Sequence, residues 1–224
     1  MTKQEELIKK RVIDQLFWDE RVDASDIQVK VNGREVTLEG SVPDHSTRQA
    51  AVMDAWQSDG VGKVTNKLKI RFAPEYKIPS DKDVKKIINN LLAWNRYIDE
   101  KNITVKVFQG DIELKGSVDA YWKKLSAEQI ASTVLGIKEI RNELTVVPTD
   151  DYFDKKIAES ITSALDRSYA IKPDEINIRV TNGIVTLSGN VTNWSAYRAA
   201  MFAIENTAGV TDIIDEIKID ALEI

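Results

Sequence analysis

The chain has 224 residues, 31 basic and 36 acidic side chains for a net charge of −5, 42% hydrophobic residues and no cysteine. That composition belongs to a globular protein; it excludes disulfides and thiol chemistry, and no apolar run approaches the ~20 residues of a membrane span. Charge is uneven, at +2 over residues 76–149 and −6 over 150–224, and without a strong basic stripe nucleic acid is excluded as a partner.

Length alone suggests one or two domains, but a repeat overrides it. Thr2 and Glu5 are spaced as a capping box. Ile8, Val12 and Leu16 then recur at helical spacing, with Leu7, Ile13 and Phe17 widening the apolar face. The stretch Val29–Val42 alternates apolar and polar residues on both sides of a glycine turn, the pattern of a half-buried hairpin. Ile27, Val29, Val31, Val36, Leu38 and Val42 share its buried face. A second helix, rich in alanine, covers about 46–58 and stops at Gly60-Val61. A short strand, 67–70, closes the unit.

The same order returns twice. Ser80 and Asp83 open a helix carrying Val84, Ile88 and Leu92, widened by Ile87 and Leu91; the hairpin phrase recurs at 105–118; a helix over 122–134 and a strand over 143–146 follow. The third unit offers Ile157, Ile161 and Leu165, a hairpin at 178–191, a helix over 195–207 and a strand at 216–219. Gly40, Gly116 and Gly189 hold equivalent places, and close approach of helix to sheet is the expected reason for them. The prediction is an α+β chain of three tandem α-β-β-α-β sandwich units, 1–73, 80–148 and 150–222, each a small three-stranded sheet with two helices on one face. If the second and third strands are parallel, their crossover should be right-handed. Pro74, Pro79 and Pro148 stiffen the short linkers.

The V-x-V…V-x-L-x-G-x-V hairpin is followed by a tail read from Gly60, Val61, Val64, Asn66, Leu68 and Ile70. The tail recurs from Gly136, Ile137, Ile140, Asn142, Leu144 and Val146, and from Gly209, Val210, Ile213, Asp215, Ile217 and Ile219, which departs at the asparagine. Three copies of this pattern resemble the BON domain, and the chain is similar to bacterial proteins of three BON repeats without a signal peptide. The resemblance implies non-catalytic modules of osmotic-stress, envelope and transport-associated proteins, proposed to bind phospholipid, with no fixed residue signature to carry over. Met1–Lys10 has neither an apolar core nor a cleavage site. The expectation is a cytoplasmic chain, or a periplasmic one if a signal peptide has been removed.

Residues for chemistry are sparse. His45 is the only histidine, and it reads as an exposed residue of a helix cap. Carboxylate pairs such as Asp150-Asp151 and Asp111 with Glu113 fall in solvated turns and strands, so no catalytic residue is assigned. No metal site or cofactor is expected. Trp18 and Trp94, equivalent to each other, read as core or inter-unit packing. Tyr121, Trp122, Lys123 and Lys124 open the second helix of the middle unit. Rings beside lysines suit a membrane interface, so these four are the candidate lipid contacts, with packing against a neighbouring unit as the alternative. The leading function is a non-enzymatic scaffold contacting anionic phospholipid headgroups. A protein-partner adaptor with no lipid affinity and an intracellular sensor of a small solute or ion are the alternatives.

Overall fold

The computed structural model describes residues 2–171 and 176–220. Repeat one runs α1 (Lys3–Trp18), β1 (Ile27–Asn32), β2 (Glu35–Val42), α2 (His45–Gln57) and β3 (Lys63–Ile70). Repeat two runs α3 (Asp81–Trp94), β4 (Ile103–Phe108), β5 (Asp111–Val118), α4 (Tyr121–Ser132) and β6 (Glu139–Val146). Repeat three runs α5 (Asp154–Asp166), β7 (Ile176–Thr181), β8 (Ile184–Val191), α6 (Trp194–Glu205) and β9 (Asp212–Ile219). Each sheet has three strands with the second in the centre. In repeats one and two the hairpin pair is antiparallel and the crossover pair parallel. The closing strands each begin four residues earlier than expected. Their first halves are polar or half-exposed (Lys63, Thr65 and Asn66 in β3) and carry little apolar signal.

The first helices form as their sequence dictates. Thr2 and Glu5 close the capping box of α1, and Ser80 caps α3 by accepting from the Asp83 amide. Ile8, Val12 and Leu16, with their counterparts in α3 and α5, are buried to 2% exposure or less. The stripe is narrower than its sequence suggests, because Leu7, Phe17 and Ile87 face outward. Each buried i, i+4 row packs on its own sheet around Leu38, Leu114 or Leu187. The opposite sheet face is wet: Glu113 sits between Lys106 (3.1 Å) and Lys115 (2.8 Å), and Glu39 between Lys30 and Lys67. Such exposed pairs contribute about 0–1 kcal/mol each.

The hairpin turns differ in chemistry. Gln109-Gly110 and Asn182-Gly183 have positive φ at both loop residues, the type I′ requirement. Repeat one places Gly33 first, with only that residue at positive φ. An acid of the first helix's N-terminal region holds each turn: Glu5 accepts from the Gly33 amide, Asp81 from Gln109 and Gly110, Asp154 from Asn182 and Gly183.

The reason for the strand glycines is not helix–sheet approach. Gly40 and Gly116 lie at φ +121° and +124°, and a Cβ on either would sit 1.9 Å from a backbone oxygen, Asp26 O or Asn102 O. Those carbonyls belong to the 3-10 turns that lead into β1 and β4, so a tight backbone crossing excludes any side chain.

The described residues divide into two compact units, 2–77 with 190–197 and 218–220, and 78–171 with 176–189 and 198–217. Within the first, Trp56 stacks on Trp194 at 4.6 Å and 11° between planes, and Trp194 stacks on Tyr197 at 4.8 Å. Arg34 there reaches the Asp220 carboxylate at 3.2 Å.

Candidate functional site

The start of α4 follows β5 directly through Asp119 and Ala120, and Ala120 provides no side-chain cap. Lys123 reaches back to Asp119 instead, at 2.7 Å. Tyr121, Trp122, Lys123 and Lys124 are all half-buried. The Lys123 ammonium lies 5.6 Å from the Trp122 ring centre, and that of Lys124 5.8 Å from Tyr121, within cation–π range. Burial, followed by the negative charges of Asp212, Glu205 and Glu128, pushes the Tyr121 phenol up from its ordinary range.

The tertiary structure adds two residues that sequence reading missed. Asn95 ends α3, and its side chain accepts from the Tyr97 amide at 3.0 Å. This Asx turn sets the Tyr97 ring edge-on against Trp122, 5.8 Å apart at 74°. Arg96 lies over the same ring, 5.0 Å from the Tyr97 centre. Beside these rings is a cavity of about 670 Å³ lined by Arg96, Tyr97, Lys101 and Lys123, with Asp99, Glu100 and Asp119 as counter-charges. The only sequence signal for Tyr97 is an aromatic residue in a polar loop, which does not name its partner 25 positions on.

Two other aromatic expectations need correction. Trp18 and Trp94 are 79% and 84% exposed, so neither is core. Each ends its helix on the side away from the buried i, i+4 row, where the chain turns away to the hairpin.

Repeat one holds a polar cluster that its sequence did not announce. His45 is buried, not exposed, because it begins α2 facing inward beside buried Thr47 and Arg48. Asp19 is clasped by Arg21 through three side-chain contacts (Nη2 to Oδ2 2.5 Å, Nε to Oδ1 2.9 Å and to Oδ2 3.1 Å) and accepts from the Arg21 amide, which together hold its carboxyl at about 2. Asp54, 2% exposed, accepts from Gln15 at 3.4 Å, and burial pushes its carboxyl up. This buried acid pair differs from the solvated pairs the sequence suggests. Among the described residues, no three His, Cys, Asp or Glu side chains gather as metal ligands.

The BON domain profile matches residues 4–71, 80–148 and 153–221. The chain belongs to the BON domain family. Its BON repeats are 30% identical over 128 residues to Osmotically-inducible protein Y of Escherichia coli, covering 56% of this chain and 64% of that one. They are 29% identical over 123 residues to the outer membrane lipoprotein DolP of Haemophilus influenzae, covering 53% and 63%. The matched stretch thus spans just under two thirds of each of these two relatives. A solved C-terminal domain of CdsD, a structural protein of the type III secretion system of Chlamydia trachomatis, aligns over 97% of both chains at 14% identity, with a TM-score of 0.25. No described helix is long and apolar enough to cross a membrane.

Proposed function

We propose that the chain is a non-enzymatic binding protein that attaches weakly and reversibly to anionic phospholipid surfaces through the start of α4 in its middle BON repeat. The observation that carries this reading is the Tyr97–Trp122 pair flanked by Arg96 and Lys123, amphipathic rings with cations beside a cavity whose lining carries both signs of charge. Tyr121 and Lys124 extend it along the helix. Rings of this kind enter the headgroup layer while cations meet lipid charge. Each basic residue near such a surface is worth about 1 kcal/mol, and the neighbouring carboxylates reduce that, so binding should be salt-sensitive. The relatives' names, one osmotically inducible and one an outer membrane lipoprotein, favour a stress- or envelope-associated role. Anionic phospholipid meets a bacterial protein on either side of the inner membrane, so the reading serves a cytoplasmic or an exported chain.

The test is co-sedimentation with liposomes of graded anionic-lipid content at low and physiological salt. The wild type should pellet increasingly with anionic lipid, and Tyr97→Ala/Lys123→Glu/Lys124→Glu should not, with its melting curve confirming the fold. Absence of wild-type binding at low salt refutes the reading and leaves a protein partner as the target.

A further inference from the structure

Repeat three differs from its sisters between its two helices. The chain after α6 passes against the chain before α5, since a Cβ on Gly209 would meet Tyr152 at 2.5 Å; the helices therefore run antiparallel. Between them lies a cleft of about 910 Å³, at the upper end of the range for small-ligand sites. In repeat one the corresponding positions hold Gln15 and Asp54, hydrogen-bonded across the gap. In repeat two they hold Leu91 and Ile130, packed on the core. In repeat three they are Ala164 and Ala203, and among the described residues nothing of comparable size fills the space.

The lining is apolar within and cationic at its edge. Buried Ile157 and half-buried Ala164, Ala199 and Ala203 form the inner surface, with exposed Phe202 alongside. Arg167 ends α5 and Arg198 lies in the first turns of α6, so the antiparallel packing brings both to one end of the cleft. Lys156 stands near the other end, where its methylene stem can cover an apolar guest. Arg198 is partly engaged by Glu205 at 3.4 Å. Among the described residues, no Asp or Glu lines the cleft, although residues 150–224 carry a net charge of −6. From Lys156 to Arg167 the cleft extends about 17 Å along α5, close to the ~15 Å that one leaflet of acyl chains occupies in a ~30 Å hydrocarbon core.

We propose that this cleft binds one single-chain anionic amphiphile, a monomeric long-chain carboxylate, with its alkyl chain on the alanine-lined surface and its carboxylate between Arg167 and Arg198. Arginine's planar fork matches a carboxylate, and the alkyl chain replaces the side chains present in repeats one and two. The site is separate from the α4 surface of the middle repeat and does not depend on it.

The test uses the full chain and laurate below its micelle concentration, followed by amide chemical-shift titration. Laurate should bind saturably, one per chain, with shifts centred on α5 and α6, and dodecylammonium should bind at least about tenfold more weakly. Ala164→Leu/Ala203→Ile installs repeat two's own pair; it should keep or raise the melting temperature and lose laurate binding by more than about tenfold. The same variant should still sediment with anionic liposomes, which separates this site from the middle-repeat surface. Arg167→Ala/Arg198→Ala should weaken laurate about tenfold while leaving uncharged dodecanol unchanged. Unaltered laurate affinity in the filled variant, equal binding of dodecylammonium, or shifts centred on another repeat would overturn the proposal, as would non-saturable binding of laurate as an adventitious additive only.

Discussion

Replacing Gly40 by alanine tests the backbone crossing found at the hairpins of repeats one and two. At φ +121° the residue lies where side chains are rarely tolerated, and holding alanine there costs of order 1–3 kcal/mol. The new Cβ would also stand 1.9 Å from Asp26 O and 3.1 Å from its carbonyl carbon. These are backbone atoms that cannot rotate aside, so the strand or the 3-10 turn must shift, for about 1–3 kcal/mol more. The sum, about 2–6 kcal/mol, compares with about 4–10 kcal/mol of stability for a unit of roughly 70 residues. Gly33→Ala in the same repeat is the control. There φ is +59° and nothing lies within 4 Å of the added Cβ, so the cost should be about 1–2 kcal/mol. Urea unfolding combined with amide hydrogen exchange of Val29 and Leu38 reads the difference locally. Gly40→Ala should speed exchange there by at least an order of magnitude more than Gly33→Ala. Equal exchange and equal midpoints in the two variants would refute the argument.

The acid pair of repeat one makes two further predictions of opposite sign. Asp19 is held at about 2 against an ordinary 3.8, first by the Arg21 side chain and then by the Arg21 amide, so its stabilisation is present above pH 3.8 and is lost as pH falls towards 2. Arg21→Ala should therefore destabilise the chain at pH 7, and only modestly because Arg21 is 73% exposed. The variant should also show a shallower loss of stability between pH 4 and 2; parallel curves by urea titration would contradict this. Asp54 is pushed up by burial, so the native state favours its neutral form and stability declines as pH rises above 3.8 through the folded value. Gln15→Leu/Asp54→Ile, the pair found in repeat two, should stabilise repeat one by about 1 kcal/mol or more at neutral pH. The gain should be smaller at pH 4, and a larger gain at pH 4 would refute the assignment.

What could be read from the chain was local and periodic. The rows Ile8-Val12-Leu16, Val84-Ile88-Leu92 and Ile157-Ile161-Leu165 mark their own burial, because a helix returns to the same face every three to four residues. The alternation through Val36, Leu38 and Val42 does the same for a strand. Repetition then turned three weak patterns into one fold. Where a residue's role depends on something distant in sequence, its position was visible but its reason was not. Gly40 faces Asp26 only because the hairpin register pairs it with Ile27. His45 and Asp54 are buried because α2 turns those positions inward, although the same residue types usually face water. Tyr97 meets Trp122 only once a loop and a helix start are brought together. The cleft of repeat three is created by side chains that Ala164 and Ala203 lack. Periodicity along one chain fixes which face of an element is apolar, but it does not say how much volume two facing elements leave between them. Packing sets that volume, and packing exists only in three dimensions.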